Sequence, residues 1–288
     1  MLEDAGVRVP RLTAEVLLLH AISYDQSVSP EKAADVAWLY AHSSDELRES
    51  WWIHYGRYLH ERIGGKPTQY ITGRQEFYGR EFRVTPDVLI PRPETEHVME
   101  AALARANPAS GAAPDRADAS DAAAAGRVLD IGVGSGAIAV TLALETKAAV
   151  FATDISLPAL RLARDNARRL SANVTFVACD LGAALPGGSF GLVVSNPPYI
   201  PERDRETLQR EVREFEPPTA LFAGEDGLAV YRRLVPEAER LLRPGGWLVM
   251  ELGDTSAEPV RDLLARWDAI AFRADLAGTP RVVSARRR

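Results

Sequence analysis

The sequence predicts an α/β protein with a largely parallel sheet, preceded by a small helical bundle and a β-hairpin linker. Three observations support this prediction. Strands alternate with helices from Arg127 onward, which is typical of βαβ units whose sheet is buried on both faces. A glycine-rich turn at 132–136 joins the first of these strands to its helix. Before residue 65, apolar residues recur three or four positions apart, as in amphipathic helices.

The N-terminal part, residues 1–65, is predicted to form three or four short helices. On the last of them, Leu47, Trp51 and Tyr58 belong to an apolar stripe, which we interpret as core. The pair Gly64-Gly65 follows that stripe in the position of a helix-ending glycine. Taken alone, this bundle does not indicate a function.

A change in composition marks the linker, predicted over 66–92. Aromatic and β-branched residues surround Gly73 and Gly79 in the stretch 69–90, which predicts a β-hairpin. A helix is then expected to begin at Pro93, which opens the third domain, 93–288.

Within 93–288 the pattern predicts the order of the elements. Residues 106–126 lack periodicity and are rich in Ala, Asp, Ser, Pro and Gly, so we predict a flexible insertion there. The predicted strands are 127–131, 149–154, 174–179, 191–195 and 247–252, followed by a final β-rich stretch. The predicted helices are 136–145, 157–170, 227–242 and 257–267.

Composition narrows the classes of function. A net charge of −6 gives no general attraction to a phosphate backbone, so direct nucleic-acid binding is not expected. Cys179 is the single cysteine, which excludes an internal disulfide and fits a reducing, cytoplasmic location. No apolar stretch approaches the roughly 20 residues that span a bilayer, and the first residues lack the apolar core of a secretory signal. The histidines show no metal-ligand spacing, so no metal is expected.

The glycine-rich turn predicts a nucleoside site. Gly132, Gly134 and Gly136 alternate after Asp130, a spacing that differs from the G-x-G-x-x-G of dinucleotide folds. Such a turn lets a ligand lie against backbone amides at a helix N-terminus. Asp154 ends the second strand, where its two oxygens can accept the hydroxyls of a ribose.

The predicted site contains three acids, and its glycine-rich turn contains no phosphate-binding lysine. This combination indicates an adenosine ligand that carries positive charge. Asp180 and Leu181 end the third strand and are placed to meet an adenine edge. The sulfonium of S-adenosylmethionine fits this set; the competing interpretation is that Asp154 caps a helix and Asp180 turns the chain. The chain resembles the class I, Rossmann-like S-adenosylmethionine-dependent methyltransferases, whose sheet has seven strands. The cofactor-binding residues predicted are Asp130, Gly132, Val133, Gly134, Ser135, Gly136, Asp154, Ile155, Asp180, Leu181 and Asn196.

The segment Asn196–Tyr199, of sequence NPPY, follows the fourth strand and predicts the acceptor site. A planar amide or amine nitrogen carries two N–H donors. The side-chain oxygen of Asn196 and the carbonyl of Pro197 can accept both, while Tyr199 stacks on the planar group. Orientation of the nitrogen towards the methyl donor then supplies most of the acceleration. The predicted catalytic and substrate-binding residues are Asn196, Pro197, Pro198 and Tyr199.

This segment resembles the N/D-P-P-Y/F motif of enzymes that methylate adenine N6 in nucleic acids or glutamine in proteins. Three stretches favour glutamine: 64–96, which contains IPRPETE, 214–234 and the tail DLAGTPRVV. With the helical N-terminal part they resemble the peptide-chain release factor glutamine N5-methyltransferases over nearly the whole chain. Relatives that modify a ribosomal protein typically lack the glutamine found at Gln69.

The resemblance implies a reaction, a partner and a docking role: the helical domain 1–65 and the hairpin would bind the body of the partner while its loop enters the active site. The substrate would be the glutamine of the Gly-Gly-Gln motif in class 1 release factors, and the products N5-methylglutamine and S-adenosylhomocysteine. Arg92 and Glu94 are expected to line the entrance for the substrate, although a salt-bridged helix start explains them equally well. Methylation of a ribosomal protein, adenine-N6 methylation and a binding module without activity are the alternatives. A monomer is expected.

Overall fold

The computed structural model describes residues 1–23, 35–106 and 126–288. Nearly all of the predicted insertion, 107–125, therefore lies outside the described residues. The chain divides into two compact units: Met1–Arg74 with Gln209–Phe215, and Gln75–Leu208 with Glu216–Arg288. Among the described residues, no helix is long and apolar enough to cross a membrane.

The first unit is helical, as predicted. Its helices begin with α1 (Pro10–Ser23), α2 (Val36–Ala41), α3 (Glu49–Ile63) and α4 (Thr68–Thr72). Leu17, Ala21, Tyr58 and Ile71 are buried together, so α1, α3 and α4 share one small core. The interpretation of the apolar stripe on α3 as core is confirmed for Trp51 and Tyr58, which are buried. It is wrong for Leu47, which precedes the helix and is exposed.

Helix α4 corrects the prediction that the chain is β-rich from residue 69. Pro67 at its N-cap holds an extended backbone, and the left-handed Gly73 ends it. Tyr70 and Ile71 are buried, which means that packing decides the conformation against the β propensity of these side chains.

A short hairpin follows, formed by β1 (Arg74–Phe77) and β2 (Arg80–Arg83). Tyr78 and Gly79 form its two-residue turn, and both have positive φ, at 51° and 69°. This is the turn geometry that matches the right-handed twist of two antiparallel strands. Phe77 and Phe82 are buried on the hairpin and meet edge to face.

The second unit contains a seven-stranded sheet in the order β5-β4-β3-β6-β7-β9-β8. Its strands are β3 (Arg127–Ile131), β4 (Ala149–Asp154), β5 (Val174–Ala178), β6 (Phe190–Ser195), β7 (Leu242–Glu251), β8 (Asp268–Ala274) and β9 (Pro280–Arg286). Strands β3 to β7 pair in parallel, and β9 runs antiparallel to β7 and β8. The predicted α/β class and the final hairpin are confirmed, and the sheet is mixed at one edge.

Helices cover both faces of this sheet. They are α5 (Glu96–Ala106), α6 (Ala137–Glu145), α7 (Leu157–Arg169), α9 (Pro218–Leu221), α10 (Ala229–Leu241) and α11 (Ala257–Leu263), while α8 (Arg210–Phe215) belongs to the first unit. Two apolar cores result, one containing α5, α6 and α7 and the other containing α10 and α11. The strand order reverses beside β3, where such sheets open a crevice at their carboxyl ends.

Three boundaries of helices and strands within 93–288 differ from the predictions by three residues or more. Helix α5 is preceded by a 3-10 turn, Pro93–Thr95. Strand β7 begins at Leu242, five residues before the predicted start, because its first part pairs with Phe190 across a bulge. Helix α11 ends at Leu263 and leaves Trp267 in a turn, where it is still buried.

Candidate active site

A cavity of about 260 Å³ opens at the carboxyl edge of the sheet, entirely within the second unit. It is lined by the segments that follow β3, β4, β5 and β6 and by parts of 87–95 and 217–220. Ligands of parallel α/β sheets bind at this position, and the volume is close to that of small-molecule sites. Of the predicted site residues, it is lined by Gly132, Val133, Gly134, Ser135, Asp154, Ile155, Asp180, Leu181, Asn196, Pro197 and Pro198.

The glycine loop takes the backbone shape that its spacing predicts. Gly132, Gly134 and Gly136 all have positive φ. The amides of Gly132 and Val133 both donate to the carbonyl of Thr153, which ties the loop to the end of β4. At Gly136 a Cβ would lie 3.2 Å from the Cβ of Ala163, so this glycine also permits close approach of α6 and α7. The loop therefore forms an open cradle with a fixed backbone.

Asp154 connects the cradle to the following helix. One carboxylate oxygen accepts the amide of Gly134 at 3.0 Å and the other accepts that of Ser156 at 2.8 Å. The side chain of Ser156 caps α7, so the cap is not Asp154 itself. Each carboxylate oxygen retains a free lone pair for a ligand hydroxyl. Ile155 beside it lines the cavity and is 71% exposed, so its side chain is accessible to a flat ring.

Negative charge predominates around the cavity. Asp87, Asp154 and Asp180 line it, and Arg233, which pairs with Asp180, is its single lining cation among the described residues. This balance fits a cationic adenosine compound better than a polyphosphate. Leu181 has a left-handed backbone with φ of 49°, an uncommon state that accompanies functional turns. The residues present therefore fit S-adenosylmethionine.

Asp130 lies beneath the cradle and is not part of its lining. It is 1% exposed, and one of its oxygens accepts the amide of Ala139 at 3.1 Å. Its other oxygen has no hydrogen-bond partner among the residues that the structure describes. Burial, with a smaller contribution from Asp154, raises the pKa of Asp130 to about 7. In this structure Asp130 fixes the start of α6 below the glycine loop.

Asn196 is held by a chain of hydrogen bonds that crosses the unit. Its amide nitrogen donates to Thr95 Oγ1 at 3.0 Å, and that hydroxyl donates to Glu251 Oε2 at 2.6 Å. The hydroxyl of Tyr199 donates to the other carboxylate oxygen at 3.2 Å. Thr95 and Glu251 are buried. Thr95 also lines the cavity, as Asn196 does. The network thus extends from the core to the predicted acceptor site.

Burial changes the acid strength of two groups in this network. It raises the pKa of Glu251 to about 7, and the hydrogen bonds from Thr95 and Tyr199 oppose the rise. Burial and the nearby Glu251 raise the pKa of Tyr199 well above its ordinary value. The hydroxyl of Tyr199 therefore keeps its proton and remains a donor to Glu251.

Other predicted residues lie away from the cavity. The lining within the described chain does not include Tyr199, whose ring packs against Gly253, nor Gly136. Arg92 forms an ion pair with the buried Glu216, and Glu94 is exposed. The roles predicted for Tyr199, Arg92 and Glu94 towards a substrate stay predictions.

Several functional candidates were missed from the sequence. They are Asp87, Thr95, Arg233 and Glu251, together with Pro217, Thr219 and Ala220 on a loop and a short helix beside the cavity. The resemblance already marked IPRPETE, which contains Thr95, and the stretch containing 217–220. Glu251 gives the clearest signal that could have found it, because it is an acid that directly follows the apolar run 247–250.

No group of three or more His, Cys, Asp or Glu in the described ranges is arranged to hold a metal ion. Thr95 accepts from Asn196 and donates to Glu251, which also accepts from Tyr199. The site therefore consists of amide, hydroxyl and carboxylate groups.

Family models match both the helical N-terminal part of the chain and much of the part that contains the cavity. The family model described as PrmC N-terminal domain matches residues 1–73, and that of the methyltransferase small domain matches 117–214. A protein of Koribacter versatilis named release factor glutamine methyltransferase is 42% identical over 99% of this chain and 94% of its own length. A protein of the same name from Bordetella pertussis is 40% identical over 98% of this chain and 96% of its own.

Solved structures support the fold. A methyltransferase from Pyrococcus furiosus covers 73% of this chain and 90% of its own, with a TM-score of 0.51 and 16% identity. A 16S rRNA guanine methyltransferase of T. thermophilus, solved with AdoMet and guanosine, covers 75% of this chain and 50% of its own, with a TM-score of 0.53 and 21% identity. At these identities the likeness concerns the architecture of the sheet and its helices.

Proposed function

Since the chain belongs to the family of release factor glutamine methyltransferases, we propose that it methylates the glutamine of the Gly-Gly-Gln motif in class 1 peptide-chain release factors. The methyl group comes from S-adenosylmethionine and is transferred to the side-chain amide nitrogen, N5. The products are N5-methylglutamine, S-adenosylhomocysteine and a proton, which the nitrogen loses after the transfer. The enzyme is therefore a protein methyltransferase.

The observation that carries this proposal is the orientation of the Asn196 amide at the cavity. Its nitrogen is held by Thr95, so its oxygen is free to accept a hydrogen bond from a ligand N–H. The same cavity contains the glycine loop and Asp154, which suit an adenosine compound. An N–H acceptor beside a nucleoside cradle is what methylation of a carboxamide nitrogen requires.

The residues of the chain bind and orient the reacting amide. Asn196 Oδ1 and the carbonyl of Pro197 accept the two N–H bonds of the substrate. Accepting both favours a nitrogen that is less conjugated with its carbonyl, and it directs the lone pair towards the methyl donor. When bound, S-adenosylmethionine supplies an electrophilic methyl group on a positively charged sulfur. Pro197 and Pro198 offer no backbone N–H, so their segment presents acceptors to the substrate.

Release factors are preferred over the two alternative substrates. The match of residues 1–73 to the PrmC N-terminal domain and the relatives that align over nearly their whole length support a glutamine enzyme. An adenine-N6 enzyme acting on a duplex must grip phosphates and extrude a base. The net charge of −6 favours a protein substrate instead. Methylation of a ribosomal protein remains the alternative to be tested.

Further aspects of the proposal concern the partner and the location. We infer that the helical first unit binds the body of the release factor, since it contains no part of the cavity. A reducing cytoplasm is consistent with one free cysteine, Cys179, and with a partner in translation. We further propose that the protein is a monomer. Neither direct nucleic-acid binding nor membrane association enters the proposed reaction.

The test is a methylation assay with labelled S-adenosylmethionine. Purified protein is incubated with a release factor, a short Gly-Gly-Gln peptide, ribosomal proteins or DNA, and the modified residue is identified by mass spectrometry. We expect label on the glutamine of the release factor and slower labelling of the peptide. Label confined to ribosomal protein or DNA would refute the assignment, and equal kcat/KM for factor and peptide would refute docking by the first unit.

A variant of Asn196 links the activity to the site. Asn196→Ala is expected to lower kcat by about 100-fold or more, because a hydrogen bond made in the transition state is lost. Asn173→Ala, the same change at an exposed position, serves as the control and should leave kcat unchanged. Full activity of Asn196→Ala would contradict the proposed role.

A further inference from the structure

We propose that Thr95 and Glu251 are positioning residues that fix which end of the Asn196 amide faces the substrate, and that they thereby select glutamine over glutamate. The proposal rests on the proposed function, since it concerns how the same site recognises a carboxamide. It is based on the direction of two successive hydrogen bonds, from Asn196 to Thr95 and from Thr95 to Glu251.

The direction follows from the number of protons available. An ionised carboxylate only accepts, so the single proton of the Thr95 hydroxyl must be donated to Glu251. Thr95 can then only accept from Asn196, which places the amide nitrogen of Asn196 at Thr95. The amide oxygen is left for the cavity, where it can accept an N–H of glutamine and repel the oxygens of glutamate.

Burial of Thr95 and Glu251 restricts the direction of these hydrogen bonds. Thr95 is 4% exposed and Glu251 is 2% exposed, so water does not compete for these bonds. Tyr199 occupies the second oxygen of Glu251 as a further donor, which leaves Oε2 to Thr95. Every donor in this chain therefore points towards Glu251, and the chain ends at the amide that meets the substrate.

If the direction of these hydrogen bonds were reversed, the site would be expected to prefer glutamate over glutamine. A protonated Glu251, or a glutamine in its place, can donate to Thr95, which then donates to the oxygen of Asn196. The amide nitrogen would turn to the cavity and offer an N–H, which suits glutamate. The charged and titratable groups around Glu251 are Tyr199, Tyr231, Glu94 and Arg281, and Arg281 favours the ionised state.

The main test uses Thr95→Val, which keeps the shape of the side chain and removes its hydroxyl. The variant is expected to lose about 10-fold to 100-fold in kcat on a Gly-Gly-Gln peptide. In the presence of S-adenosylhomocysteine, the preference of wild type for binding Gly-Gly-Gln over Gly-Gly-Glu peptide should shrink by about 10-fold in the variant. Loss of the hydrogen bond from Thr95 also raises the pKa of Glu251, so the variant and wild type are compared at a pH well above 7, where Glu251 is ionised in both.

Two matched variants separate orientation from stability. Thr95→Ser retains the hydroxyl and should restore kcat to within about 3-fold of wild type. Thr141→Val makes the same change at a buried hydroxyl that has no hydrogen-bond partner among the described residues, so both kcat and peptide preference should stay unchanged. Thr95→Val behaving like Thr141→Val in both measurements would overturn the proposal.

A second variant guards against misfolding of Thr95→Val. Glu251→Gln should lower kcat by about 10-fold or more and abolish the rise of kcat/KM with pH that ionisation of Glu251 gives the wild type. A wild-type pH profile retained in Glu251→Gln would also overturn the proposal. If wild type itself methylates no glutamine, the proposed function has failed; wild-type activity with unaltered variants means that only this inference has failed.

Discussion

Replacement of Glu251 by glutamine is expected to change how the stability of the protein depends on pH. Glu251 ends β7 and is 2% exposed, with Thr95 and Tyr199 donating to its two oxygens. Burial dominates these hydrogen bonds and raises its pKa from 4.5 to about 7. Glu94 adds to the rise and Arg281 opposes it. A neutral amide at this position has no such titration.

The magnitude follows from the difference in pKa between the folded and unfolded chain. The folded state binds the proton more tightly, so Glu251 contributes stability that is fully present below about pH 4.5 and is lost as pH rises through about 7. Each pKa unit corresponds to about 1.4 kcal/mol, which gives about 3 kcal/mol in all. Between pH 5 and pH 8 the loss specific to Glu251 is about 2 to 3 kcal/mol.

The assay is urea denaturation of wild type and Glu251→Gln at several values between pH 5 and pH 8. The free energy of unfolding of the variant, relative to wild type, should increase by about 2 to 3 kcal/mol over this interval. Asp130, whose pKa is also raised to about 7, is present in both proteins and cancels. The exposed Glu225 offers the control Glu225→Gln. A constant difference between wild type and Glu251→Gln across the pH range would refute the reasoning.

Two further predictions concern stability. Gly136→Ala should lower the free energy of unfolding by about 2 to 4 kcal/mol, because its φ is +87° and the new Cβ would lie 3.2 Å from that of Ala163. Gly132→Ala, with left-handed φ but open space, should lose only about 1 to 2 kcal/mol in the same urea denaturation, and equal losses would exclude the steric part. Arg92→Ala removes a partner of the buried Glu216 and should cost about 1 to 3 kcal/mol. A raised KM for the release factor without a loss of stability would instead support Arg92 as a substrate contact.

The sheet could be predicted because its central strands are continuous apolar runs. All six residues of β6 are buried, and four of the five in β3, so their sequences have little freedom to be anything else. The glycine loop was predictable for a different reason. Three alternating glycines have positive φ there, a conformation that other residues rarely adopt. The sequence predicts an element correctly when residues within that element determine its conformation.

Elements decided by tertiary contact were harder to predict. Thr68–Thr72 contains side chains suited to strands, but burial of Tyr70 and Ile71 in the first unit holds them in a helix. Gln209–Phe215 belongs to the same unit although it lies far along the chain from it. There Glu211 accepts a hydrogen bond from the buried Arg62. No periodicity within either segment indicates these partners.

For Asn196 at the acceptor site, the sequence predicts one part of its role and tertiary contacts decide the other. The NPPY sequence predicts that Asn196 supplies an oxygen to the substrate, but an asparagine amide has two ends of nearly equal shape. The choice between them is made by Thr95 and Glu251, which are 101 and 55 residues away along the chain. A buried acid with no lone pair directed at the substrate can thus decide whether the site accepts an N–H or donates one. Specificity for a carboxamide then depends on the ionisation of that acid, which connects the substrate preference to the pH dependence of stability.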